Sequence, residues 1–135
     1  MENSYNWYST LIKPSWAPPS WLFGPVWTVL YIIIAYSFGT VFYKTFTGKL
    51  PFMVALPFIL NLVFNFSFTY FQFGLKNNIL AAVDIIFVLG TLIWALVALW
   101  NASSNLRYIV YMNIPYLLWV IFATVLQLTI TWINR

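Results

Sequence analysis

The side chains that stand out chemically within this chain's apolar stretches are Asn61, Asn65 and Asp84, together with the aromatic set Trp27, Tyr31, Phe68 and Trp119. Phe58, Asn61, Asn65, Phe68 and Gln72 recur at intervals of three and four, so they share one helix face. A buried amide with no partner costs roughly 1–3 kcal/mol. For Asn61 this points to a structural hydrogen bond onto a neighbouring helix. For Asn65, flanked by Phe64, Phe66 and Phe68, such a bond and contact with a ligand are both open. Asp84 is the one acid within an apolar stretch, and Glu2 is the other acid of the chain. A lone carboxylate without a second acid, a His or a metal does not make a general acid–base pair. Its expected role is structural, as a carboxylate near a helix start that caps or bridges helices; gating or contact with a ligand amine is the alternative. With no Cys and no His, the chain lacks disulfides, thiol chemistry and the usual transition-metal ligands. No metal site, no cofactor and no catalytic constellation is therefore expected. On periodicity the aromatic set reads as bundle packing or as part of an interfacial belt.

The elements that must position these residues are membrane helices. The 135 residues are 63% hydrophobic, 22% aromatic and 6% charged, whereas a soluble domain carries about a quarter charged residues. The fold class is an all-α membrane protein: an antiparallel transmembrane helix bundle with four visible spans, in a single domain over 1–135. Residues 1–22 form a polar-to-aromatic lead with no apolar run of the signal-peptide kind. The spans lie at about 23–43, 52–73, 79–100 and 106–133, each near the ~20 residues that a membrane crossing needs. The turns at 44–51, 74–78 and 101–105 are short, so sequential helices are antiparallel neighbours.

The six cations are scattered, which excludes a nucleic-acid surface. Lys13, Lys76 and Arg135 fall on one side of the membrane, and Lys44, Lys49 and Arg107 on the other. Charge therefore does not set the orientation. Trp7, Trp100 and Trp132 lie near span ends and read as interfacial anchors. Ala35-x-x-x-Gly39 and Ala98-x-x-x-Ala102 would allow close helix packing or a dimer.

Residues Trp16 to Thr28 are too rich in proline for helix interior and too aromatic for an ordinary solvated loop. They belong to an ordered set of motifs: Trp7-Tyr8, Lys13-Pro14-Ser15-Trp16-Ala17-Pro18-Pro19, Phe23-Gly24-Pro25-Val26-Trp27-Thr28-x-Leu30-Tyr31, Asn61-x-x-x-Asn65, Ala82-x-Asp84 and Pro115-Tyr116-x-x-Trp119-x-x-Phe122-Ala123-Thr124. Together these resemble the TspO/MBR family, the tryptophan-rich sensory proteins and mitochondrial translocator proteins, from about residue 5 to the end.

The resemblance implies a helical membrane bundle with a ligand pocket under a lid loop. The ligands it implies are porphyrins and similar flat hydrophobic molecules. Tyr8, Trp16 and Pro18 would face the pocket from the lid. Trp27, Tyr31, Asn65, Phe68, Trp119, Ala123 and Leu126 would face it from the helices. The implied function is a receptor- or transport-type membrane binding protein for tetrapyrroles, held by stacking rather than by an iron–protein bond. One alternative is light- and oxygen-dependent porphyrin degradation, with Trp27 and Trp119 as the residues involved. Another is a small helical scaffold or partner subunit. The expected surroundings are a prokaryotic cell membrane and its lipid. The family pattern has five helices, the first ahead of the Trp-Tyr pair, where this sequence has about six residues; a homodimer could cover the side so exposed. The last span has no Tyr between Leu126 and Arg135, so the sterol-associated pattern is not met.

Overall fold

A computed structural model describes residues 14–17, 20–75 and 77–134. Helix α1 spans Phe23–Phe46, with Pro25 in its first turn, where a missing N–H costs nothing. Its far end closes through glycine. Gly48 sits at φ 78°, the Lys49 N–H donates to the Lys44 carbonyl at 2.8 Å and the Gly48 N–H to the Thr45 carbonyl at 3.1 Å. These two bonds satisfy carbonyls that the helix end would leave open. After Pro51, helix α2 spans Phe52–Thr69 and widens into a π-helical turn over Tyr70–Gly74. A side chain on Gly74 would meet the Tyr70 ring at 3.1 Å, so glycine lets this turn close. The segment expected to span 52–73 thus changes winding at Tyr70. Helix α3 spans Asn78–Ala102, and Asn77 caps it by accepting from the Leu80 N–H at 3.0 Å.

The stretch expected as one span over 106–133 is two helices, α4 at Arg107–Met112 and α5 at Ile114–Ile133. Pro115 explains the division: it has no N–H for the Tyr111 carbonyl, and its ring crowds that carbonyl. Asn113 covers the break by donating its side-chain amide to the Ile109 carbonyl at 2.9 Å.

Helix α3 packs against α2 on one flank and α5 on the other, while α1 closes the ring against α2 and α4–α5. This is the up-down-up-down order that short turns dictate. Phe38, Phe58, Tyr116, Ile85, Leu92, Leu99 and Val120 fill the centre. Phe38 meets Phe58 edge-on at 4.8 Å. The outer faces are as apolar as the inner ones: Ile32, Tyr43, Phe46, Phe66 and Val97 are exposed. Among the described residues, four helices are long and apolar enough to cross a membrane, at Gly24–Phe46, Phe52–Thr69, Asn78–Ala102 and Ile114–Ile133. Hydroxyls on these helices bond back to carbonyls one turn earlier, as Ser37 does to Ile33 at 2.7 Å and Thr124 to Val120 at 2.7 Å. Such bonds satisfy these hydroxyl donors within their own helices.

Replacing Gly48 by Ala is expected to destabilise the fold by roughly 1–2 kcal/mol, because a Cβ is disfavoured in the left-handed region. Thermal unfolding in detergent should show a midpoint lower by several degrees. An unchanged midpoint would remove the glycine argument.

Candidate functional site

The polar residues of the bundle join into one directed chain. The Tyr31 hydroxyl donates to Asn65 Oδ1 at 3.1 Å. Asn65 Nδ2 donates to the Tyr116 hydroxyl at 2.8 Å. Tyr116 donates to Asn61 Oδ1 at 2.9 Å. Asn61 Nδ2 then donates to the Val88 carbonyl at 2.9 Å and to Thr91 Oγ1 at 3.2 Å. The chain runs from α1 through α2 and α5 to α3. Asn61 and Tyr116 are fully buried and Asn65 is nearly so. The i, i+4 spacing on α2 makes this possible, since it stacks Asn61 and Asn65 on one face with the Tyr116 hydroxyl between their amides. Asn61 thus hydrogen-bonds to both α3 and α5. Asn65, for which ligand contact was equally open, spends both ends of its amide inside the protein.

Next to this chain lies an aromatic cluster. Trp27 and Tyr31 lie one turn apart on α1, with ring centroids at 5.5 Å. Trp27 meets Trp119 of α5 edge-on at 6.5 Å and 90°. Trp119 contacts Phe122 at 5.6 Å, and Trp16 of the N-terminal segment packs edge-on against Phe122 at 5.8 Å. Leu126 and Ile130 form a small buried core with Ala17, Trp27, Trp119 and Phe122 around it.

Among the expected pocket residues, the structure therefore gathers Trp16, Trp27, Tyr31, Trp119 and Leu126. Phe68 and Ala123 pack against the main core, as Trp27, Tyr31 and Trp119 also do. Tyr8 and Pro18 lie outside the described residues, as do Trp7 and Lys13. Asp84 lies in the second turn of α3, and Asn77 caps the helix in its place. Asp84 is buried, and its Oδ2 has no hydrogen-bond partner. Among the described residues no group of acids or other ligating side chains could hold a metal ion.

An open groove of about 660 Å³ lies along this cluster between α1 and α5. Val26, Val29 and Leu30 form one wall, Leu118, Trp119 and Phe122 the other, and Pro25 and Pro115 also line it. Sequence reading placed Trp119 here but gave no role to Phe122 or Tyr116. Both stood within the quoted Pro115–Thr124 motif. Phe122 falls three residues after Trp119, hence on the same face. Tyr116 gives no such signal, because its partners lie 51 and 55 residues away in sequence.

The fold and site define a class: a multi-pass α-helical membrane protein with a lateral apolar groove beside an aromatic cluster. A model of the TspO/MBR family matches residues 1–133. The chain is 42% identical to the tryptophan-rich protein TspO of Bacillus cereus over 129 residues, covering 95% of this chain and 80% of that protein. It is 35% identical to the tryptophan-rich protein TspO of Chlorobaculum tepidum over 132 residues, with 95% and 79% covered. It is 34% identical to the translocator protein of Homo sapiens over 123 residues, with 90% and 70% covered. The chain belongs to the TspO/MBR family. Its bacterial relatives place it in a prokaryotic membrane.

Tyr116→Phe tests the polar chain. Removing the hydroxyl leaves two buried amides each short of a partner, at an expected cost of about 1–3 kcal/mol. Thermal unfolding in detergent reads this as a lowered midpoint. Wild-type stability in the variant would mean that the chain contributes nothing.

Proposed function

We propose that this protein is a membrane binding protein for flat, hydrophobic tetrapyrroles such as protoporphyrin IX. One observation carries the reading: the perpendicular Trp27–Trp119 pair stands beside a groove lined almost wholly by apolar side chains. A groove of about 660 Å³ falls within the usual range of small-molecule sites. Its open flank suits a ligand that arrives through the bilayer. Trp119 and Phe122 offer faces and edges on which a macrocycle can stack. Asn65 contributes indirectly, by holding the Tyr31 hydroxyl and hence the ring next to Trp27.

Trp119→Ala is expected to weaken protoporphyrin IX binding by more than tenfold, from the loss of roughly 1.5–3 kcal/mol of apolar contact. Quenching of the remaining tryptophan fluorescence measures it. Titration curves that overlay those of the wild type would defeat the proposal.

The same pair of indoles supports a second reading, in which light and oxygen degrade the bound macrocycle beside Trp27 and Trp119. Under illumination the Soret band should then decay more slowly with Trp27→Phe/Trp119→Phe than with the wild type. Equal decay rates would leave binding as the sole activity.

A further inference from the structure

A second groove, of about 280 Å³, lies on the opposite flank of α4–α5 from the aromatic cluster. Ile93, Leu96, Val97 and Trp100 of α3 form one wall, and Val110, Ile114 and Leu117 the other. Its second wall spans the Asn113–Pro115 break, with Val110 on α4 and Ile114 and Leu117 on α5. The lining is entirely apolar, so the groove suits a hydrocarbon chain and nothing polar.

One end of the groove carries a fixed cation. The Arg107 guanidinium lies 4.3 Å from the centroid of the Trp100 ring. Its Nε donates to the Trp100 carbonyl at 3.2 Å. The side chain is thereby held against a wall residue of the groove, and its terminal nitrogens make no further hydrogen bond within the described residues. Tyr111 also packs edge-on with Trp100, at 5.7 Å. A Trp–Tyr–Arg group at a helix end is the composition of a membrane interface. The topology puts Lys44 and Lys49 at this same end, while Asp84 lies toward the other end of α3. Among the described residues no carboxylate competes for Arg107 here.

We propose that this groove seats an acyl chain of an anionic phospholipid whose phosphate is held by Arg107. The apolar walls take the chain, and the guanidinium supplies paired donors for phosphate oxygens where the chain meets the headgroup. Trp100 holds the cation against one wall of the groove. The site is separate from the Trp27–Trp119 cluster and does not depend on what that cluster binds.

The test uses the full chain in bilayer discs of phosphatidylglycerol and phosphatidylcholine in equal parts, released gently and weighed by native mass spectrometry. One bound phosphatidylglycerol per chain is expected, favoured over phosphatidylcholine by about fivefold, the preference one interfacial cation confers. Arg107→Gln should abolish the preference, Arg107→Lys should keep most of it, and Lys49→Gln should leave it intact. Val97→Trp, which fills the groove from an exposed wall position, should remove the bound lipid whatever its headgroup. Equal retention of the two lipids by the wild type would overturn the proposal. So would an undiminished preference in Arg107→Gln, or a bound lipid that survives Val97→Trp.

Discussion

The hydrogen bonds that run from Tyr31 through Asn65, Tyr116 and Asn61 to Val88 touch every long helix of the bundle. In a membrane this matters more than apolar contact, because lipid tails pack against a helix about as well as another helix does. Apolar surfaces alone would leave the rotation of each helix weakly set. A chain of directed donors and acceptors sets it, since each amide and hydroxyl has one arrangement in which all are satisfied. Asn61 is saturated: its two N–H groups and its oxygen all have partners. Rotating α2 by one position would break several of these bonds together.

The aromatic cluster follows from that constraint. Tyr31 is the outer end of the chain, and Trp27 lies one turn away on the same face of α1. Tyr116 is the centre of the chain, and Trp119 lies three residues further along α5. Fixing the two tyrosines therefore fixes the two tryptophans, and the perpendicular approach of the indoles results. The break at Asn113 and Pro115 supports this arrangement. It ends α4 at Met112 and starts α5 at Ile114, in the register that brings Tyr116 to the asparagines. The same break lies in one wall of the groove beside Arg107, and Pro115 lines the groove on the other flank.

Much of this was legible from residue type and spacing. The four apolar stretches and short turns imply an antiparallel bundle, and the amides at Asn61 and Asn65 imply a buried polar face. Other features depend on register between distant segments. Tyr116 sits in a run of aromatic and aliphatic residues where its hydroxyl gives no periodic signal, so its role appears only once α5 is placed across the bundle from α2. Asn65 looked as free for a ligand as for the protein, because sequence does not reveal that Tyr31 and Tyr116 approach it from two other helices. Asp84 was expected as a carboxylate near a helix start. Asn77 takes the capping position, which leaves Asp84 a turn deeper. The π-helical turn at Tyr70–Gly74 is invisible to hydrophobic pattern, since a change of winding leaves the apolar run unbroken.

The central claim is that these polar side chains act together as one lock. A double-mutant cycle between Asn65→Leu and Tyr116→Phe, read by unfolding free energy in detergent, tests it most directly. A hydrogen bond of 2.8 Å between two buried groups predicts a coupling of about 0.5–3 kcal/mol, so the double variant should lose clearly less than the two single losses combined. Strict additivity, with coupling inside an error of about 0.3 kcal/mol, would show that the two residues stabilise the bundle independently and would contradict the account.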